Sequence, residues 1–198
     1  MKRLPDIYLA SQSPRRQALL QQIGVGFEVL AVDVEETPHA GEPAGSFVER
    51  VALDKARAGR VRLPAGRRLP VLGADTCVVA NGKIMGKPQG REHALDMLQL
   101  LSGTTHEVLS AVVLVGDHEA LRVNASRVTF RTLSAEECAA YWATGEPADK
   151  AGAYAIQGLA AIFVTQLVGS YSGVMGLPLY ETAELLREFG ITPAWQVR

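Results

Sequence analysis

Two cysteines in 198 residues, Cys77 and Cys138, are too few and too far apart for a disulfide framework, and neither sits in a CxxC or Cys/His spacing. Both read as reduced, core-type thiols. No apolar run approaches the ~18 residues of a membrane span, and Pro5 and Asp6 stand where a secretory signal would carry its apolar segment. A cytoplasmic location without a membrane partner is expected. An excess of one charge is also missing: the net charge is -1, although Arg15, Arg16 and the stretch from Arg57 to Arg68 are locally basic. That balance argues against a nucleic-acid partner and leaves a small anionic ligand as the better fit. There is no low-complexity tract, internal repeat or long Pro/Ser-rich linker, so residues 1–198 are expected to form a single domain. Finally, no GxSxG is present, and His39, His93, His106 and His118 form no readable triad pattern with a serine, which sets a serine hydrolase aside.

What the chain does have is an alternation of strand and helix signals. Residues 7–10 read as a strand, and Ser13-Pro14 as the N-cap and first residue of a helix that stops at Gly24. FEVLAV, 27–32, reads as a second strand followed by an acidic, Pro/Gly-containing loop. Ser46 with Glu49 has capping-box spacing and predicts a helix running to about Gly59. VLGADTCVVA, 71–80, is a buried-type strand, and Asn81-Gly82 folds KIMGK back beside it. A helix ending at Gly103 and two long antiparallel strands follow, joined around residues 116–119. Ser134 with Glu137 caps another helix, after which come a loop to Gly158, a strand AAIFVTQLV, a glycine-rich stretch and a last helix. The fold class is mixed α/β.

Several residues break the local pattern. Arg15 and Arg16 lie on the first turn of a helix, where the macrodipole is already positive and cations are unfavourable unless an anion joins them. Asp75 places a carboxylate inside an apolar strand, where it must find a partner, bond backbone amides at a bulge, or take up a proton. Lys55 follows Val48, Val51 and Ala52 on the apolar face of its helix, which a snorkelling lysine would also explain. Lys87 sits between Gly86 and Pro88, a poor match to a phosphate-binding Walker loop. Glu35 and Glu36 form an acidic pair in the loop after the second strand. Each is odd alone. Together they suit one polyphosphate, with Arg15, Arg16, Lys55 and Lys87 offsetting its charge while Glu36 and Asp75 offer hard oxygens to a magnesium-type ion.

SQSPRR (11–16), GADTCVV (73–79), MGKP (85–88), LSGTTHEV (101–108), DKAGAYAIQG (149–158) and GSYSGVMGLPL (169–179) occur in an order that resembles the Maf family of nucleoside triphosphate pyrophosphatases. The resemblance covers nearly the whole chain. It implies an elongated, twisted mixed sheet flanked by helices, akin to inosine triphosphate pyrophosphatases, with a cleft between two lobes. It also implies a divalent cation, Mg2+ or Mn2+, and often a homodimer. By the same resemblance Asp75 is the catalytic base or the anchor of the metal. Glu36 is a metal ligand, with Glu35 as the competing choice. Ser11, Ser13, Arg15, Arg16, Lys55 and Lys87 bind substrate. Arg15, Thr76 and Gln157 together look like the subgroup acting on dTTP and UTP, with Arg15 expected to govern nucleotide choice. The chain departs from the family pattern at Ala155 and at Gly173, where a polar residue is common. A nucleotide-sensing regulator of septum formation is the rival reading, since it needs binding without turnover.

Overall fold

The structure is a computed structural model that describes residues 4–64, 66 and 69–193; Arg67 and Arg68 of the basic stretch lie outside that range. The chain opens with β1 (Ile7–Leu9), α1 (Pro14–Gln22), β2 (Phe27–Val29), α2 (Ala44–Val61) and β3 (Val71–Ala80). β1 lies between β2 and β3 and runs parallel to both, so each connection is a crossover carrying a helix. β4 (Lys83–Met85) returns antiparallel on β3 through Asn81 and Gly82, both at positive φ as a tight hairpin requires. After α3 (Arg91–Leu101), the long pair β5 (Thr105–Val115) and β6 (Glu119–Phe130) extends the sheet antiparallel from β3. α4 (Ala135–Ala143), a series of 3-10 turns, β7 (Val164–Val168), α5 (Tyr171–Met175) and α6 (Leu179–Glu188) complete the chain. The result is a seven-stranded mixed sheet in the order β2-β1-β3-β5-β6-β7, with β4 as a branch on β3.

Side-chain alternation along β3 and β5 decides which helix covers which face. Cys77, Ala111 and Val113 pack under α2, against Val48, Ala52 and Ala56. Leu72, Ala74, Val112 and Leu114 face the other way, onto Leu19 and Leu20 of α1 and Leu185 and Leu186 of α6. A further cluster joins α3 and α4 to the far end of the sheet through Leu98, Leu101, Phe130 and Tyr141. Both cysteines are buried and free, and burial, then the charge of Asp75, pushes the Cys77 thiol up to about 12. No helix among the described residues is long and apolar enough to cross a membrane.

Three sequence expectations shift. The second strand is confined to Phe27–Val29 rather than 27–32. α2 begins at Ala44 with Pro43 as N-cap, so the Ser46/Glu49 box is not formed: Pro43 holds φ at -62° and its carbonyl accepts the first helical bond from Phe47 N–H, 2.9 Å. The box at Ser134 and Glu137 is formed in both directions. The strand expected across AAIFVTQLV is a 3-10 turn over Leu159–Phe163 before β7, and the glycine-rich stretch holds the short helix α5, capped by Ser170.

His106 on β5 is buried at 2% exposure, with its Nε2 2.9 Å from the Tyr154 hydroxyl. Burial pushes its imidazole down to about 4, against about 6.5 in an unfolded chain. Between those values the unfolded state binds the extra proton and the folded state does not. Stability therefore falls as pH drops from about 6.5 towards 4. Urea unfolding at pH 7 and pH 5 should show the wild type losing about 2 kcal/mol more than His106→Asn over that interval; parallel losses would contradict a neutral buried imidazole.

Candidate active site

β1 ends at Leu9, paired no further along β3 than Leu72, and β4 joins β3 only from Val78 onward. Among the described residues no strand therefore lies against that edge of β3 from Gly73 to Cys77. A cleft of about 770 Å³ opens there, within the size range of small-molecule sites. The gap explains why Asp75 and Thr76, neighbours that point to opposite faces of the sheet, line the same cavity.

On one face, Asp75 meets α2. The pairing of β3 with β5 runs without a shift from Val71 to Val79, so no bulge turns the carboxylate onto backbone amides. Its partner is Lys55, whose Nζ donates to Asp75 Oδ1 at 2.9 Å and lies 2.6 Å from Glu36 Oε1. Lys87 stands 3.5 Å from the other Glu36 oxygen. The four form an alternating chain, Asp75, Lys55, Glu36, Lys87. Lys55 is 7% exposed, so it is embedded rather than snorkelling, and its charge is balanced from both sides. Burial alone would raise the Glu36 pKa, but the hydrogen bond and charge of Lys55, helped by Lys87, hold it below the usual carboxylate range. Glu35 does not line the cleft.

The start of α1 supplies the opposite wall. Ser13 is the N-cap, yet its side chain makes no capping bond, so its hydroxyl remains available to the cleft. Ser11 Oγ accepts from Ser13 N–H at 3.3 Å and from Arg16 Nη1 at 3.2 Å. The two arginines differ sharply. Arg16 donates from Nε to the Gly176 carbonyl at 2.7 Å, tying α1 to the end of α5; burial lowers its pKa, with Asp75 opposing that shift. Among the described residues Arg15 has one loose ion pair, 4.0 Å to Asp149, and it lines the cleft with a half-buried guanidinium. It is the arginine whose hydrogen-bonding fork is not already engaged by the fold.

Thus Ser11, Ser13, Arg15, Arg16, Glu36, Lys55, Asp75, Thr76, Lys87 and Gln157, scattered over 147 positions of sequence, all border one cavity. Lys150, Asp149 and Tyr154 join them there, and Lys150 is hydrogen-bonded to Asp149. The cations Arg15, Arg16, Lys55, Lys87 and Lys150 outnumber the carboxylates Glu36, Asp75 and Asp149, which suits a polyanion. No group of three or more His, Cys, Asp or Glu side chains among the described residues forms a closed metal cage. Glu36 and Asp75 instead bracket one ammonium nitrogen at 2.6 and 2.9 Å, and two carboxylates so close together match in kind the one or two that a magnesium-type ion uses when substrate phosphates complete its shell. The residues fit such an ion.

Sequence reasoning passed over Ser110 and the backbone of α5. Ser110 Oγ donates to the Gly173 carbonyl at 2.6 Å and lies 2.8 Å from Thr76 Oγ1, directly across the β3–β5 ladder. The signal was present as a lone hydroxyl in the apolar run LSAVVLV. Gly173 contributes its carbonyl rather than a side chain; a Cβ there would come within 3.0 Å of Asn124 Oδ1.

Residues 6–189 match the family model described as Maf-like protein. The chain is 58% identical over 190 residues to the dTTP/UTP pyrophosphatase of Alkalilimnicola ehrlichii, covering 94% of each protein. It is 58% identical over 189 residues to the protein of the same name in Methylococcus capsulatus, covering 95% of this chain and 93% of that one. Identity to the Salmonella typhimurium dTTP/UTP pyrophosphatase is 52% over 187 residues, 94% of both. The chain belongs to the Maf family. Among solved structures, the Staphylococcus aureus Ham1 protein superposes with a TM-score of 0.45 at 16% identity, covering 63% of this chain and 71% of that one.

Proposed function

We infer that the cleft hydrolyses dTTP and UTP to the monophosphate and pyrophosphate. The observation that carries this is identity above 50%, over more than nine tenths of each chain, to relatives named dTTP/UTP pyrophosphatase; the convergence of the ten residues on one cavity supports it. Water attacks the α-phosphorus, the new O–P bond forms, and the bond from that phosphorus to the bridging oxygen breaks, releasing pyrophosphate. Asp75 either takes the proton of the attacking water or fixes the cation that lowers its pKa. A divalent cation such as Mg2+ or Mn2+, held by Asp75 and Glu36 with phosphate oxygens, would offset charge on the triphosphate when bound. Lys55, Lys87 and Arg16 add fixed positive charge around it, the main lever in phosphoryl chemistry. Ser11, Ser13 and the first amides of α1 face the phosphates, a helix N-terminus being suited to an anion. Arg15, Thr76 and Gln157 read the nucleoside. The cytoplasm, where nucleoside triphosphates are made, is the compartment this activity calls for, and a homodimer is the assembly the family suggests.

The test is phosphate release from dTTP, UTP, CTP, ATP and GTP in the presence of added inorganic pyrophosphatase, with Mg2+ or Mn2+. Turnover should be greatest with dTTP and UTP and should vanish when the metal is chelated. Tight binding of dTTP with no turnover would instead favour the regulatory reading.

A further inference from the structure

The hydrogen bonds around Ser110 have a direction that the separate distances do not reveal. A carbonyl oxygen only accepts, so the 2.6 Å contact between Ser110 Oγ and Gly173 O takes the single proton of Ser110. Gly173 O also accepts from Gly176 N–H at 2.9 Å, which occupies its second lone pair. With its proton committed, Ser110 can only accept from Thr76, 2.8 Å away. The Thr76 hydroxyl must therefore donate inward to Ser110. What it turns to the cleft is lone pairs alone.

Ser110 is 1% exposed and held on β5 directly opposite Thr76, so this polarity is built into the sheet rather than chosen by solvent. Arg16 reinforces it by clamping the carbonyl of Gly176, at the end of the same α5 segment whose Gly173 carbonyl orients Ser110. We propose that Ser110 is a positioning residue that makes Thr76 an obligatory acceptor, and that the cleft thereby selects pyrimidines carrying an imide N–H. Uracil and thymine have that donor at ring position 3; cytosine has a bare nitrogen there. An acceptor-only hydroxyl pairs with the first two and sets lone pair against lone pair with the third. The inference rests on the nucleotide reading above, and it names the group that reads the base and the residue that orients it.

The substitution Ser110→Ala frees the Thr76 hydroxyl to rotate and donate, while Gly173 O keeps the Gly176 amide. Uridine recognition survives, because a rotating hydroxyl still accepts. Cytidine recognition improves. Binding of the non-hydrolysable α,β-imido analogues of UTP and CTP, measured calorimetrically with Mg2+, should show a uridine preference in the wild type that shrinks about tenfold in Ser110→Ala through tighter CTP-analogue binding. Ser110→Thr, which keeps the hydroxyl, should retain the wild-type ratio. A purely structural role for Ser110 would weaken both analogues alike, and that result, or a wild type without uridine preference, overturns the proposal. Should Ser110→Ala not fold, Thr76→Val provides the second test: it removes the acceptor and should abolish the preference by weakening the UTP analogue, and an unchanged ratio counts against the proposal equally. Hydrolysis of UTP by the wild type is scored separately and tests the pyrophosphatase reading alone.

Discussion

Asp75→Asn is expected to fold and to lower kcat on dTTP and UTP by about 10²- to 10⁴-fold, the range for loss of a positioned proton acceptor. The substitution keeps shape and removes charge. In the structure Asp75 is 7% exposed and shares Lys55 with Glu36. Removing one carboxylate therefore leaves the buried ammonium with a partner, unlike the usual broken ion pair, whose stranded charge costs several kcal/mol. The expected stability loss is about 1–3 kcal/mol, read as a lower thermal midpoint with a single cooperative transition. The amide can neither accept a proton at neutral pH nor serve as an anionic metal ligand. The two roles separate in a metal titration. If Asp75 acts as base, the Mg2+ concentration for half-maximal rate stays near the wild-type value. If it anchors the ion, that concentration rises as kcat falls. Near wild-type turnover by a folded Asp75→Asn protein would remove Asp75 from the chemistry.

The sequence carried this site further than it carried the fold's details. Arg15, Arg16, Lys55 and Asp75 were each anomalous for a local reason, a cation at a positive helix end or a charge on an apolar face. Such anomalies survive into the structure because only a tertiary partner can resolve them. Lys55 and Asp75 do so by meeting each other. The division between Arg15 and Arg16 was not legible, since both occupy the first turn. It is set by the Gly176 carbonyl, 160 positions away, which engages Arg16 and leaves Arg15 to the cleft. At the start of α2, Ser46 and Glu49 have the spacing of a capping box, yet the helix begins at Ala44, after Pro43, whose ring fixes φ. The segment around α5 offered no apolar periodicity over its five residues. Its contribution is two carbonyls, and backbone acceptors leave no trace in residue type. Ser110 did leave one, a hydroxyl among aliphatic neighbours, but its meaning depends on cross-strand register with Thr76.

The close approach that assembles the site has its own requirement, at Gly73. A Cβ on this residue would lie 2.2 Å from the Ala52 carbonyl oxygen and 2.8 Å from Ala56 N. These are backbone atoms of α2 and cannot rotate aside. Gly73→Ala must therefore push α2 away from β3, and overpacking of this kind costs about 3 kcal/mol or more. For a chain of this length that lowers the thermal midpoint by roughly 6–12 °C. The same displacement acts on catalysis, because Lys55 rides on α2 one turn from Ala52, and its 2.9 Å bond to Asp75 depends on the helix position. Turnover of dTTP should drop at least about tenfold even at temperatures where the variant is folded, since misplacement by an ångström is enough for losses of that order. Gly45→Ala is the control: it lies on the same helix, has nothing within 4 Å of an added Cβ, and does not border the cleft. It should leave turnover unchanged and raise stability slightly, by up to about 1 kcal/mol, through helix propensity. A Gly73→Ala protein with wild-type melting and wild-type rate would show that the spacing of α2 on β3 does not position Lys55 against Asp75.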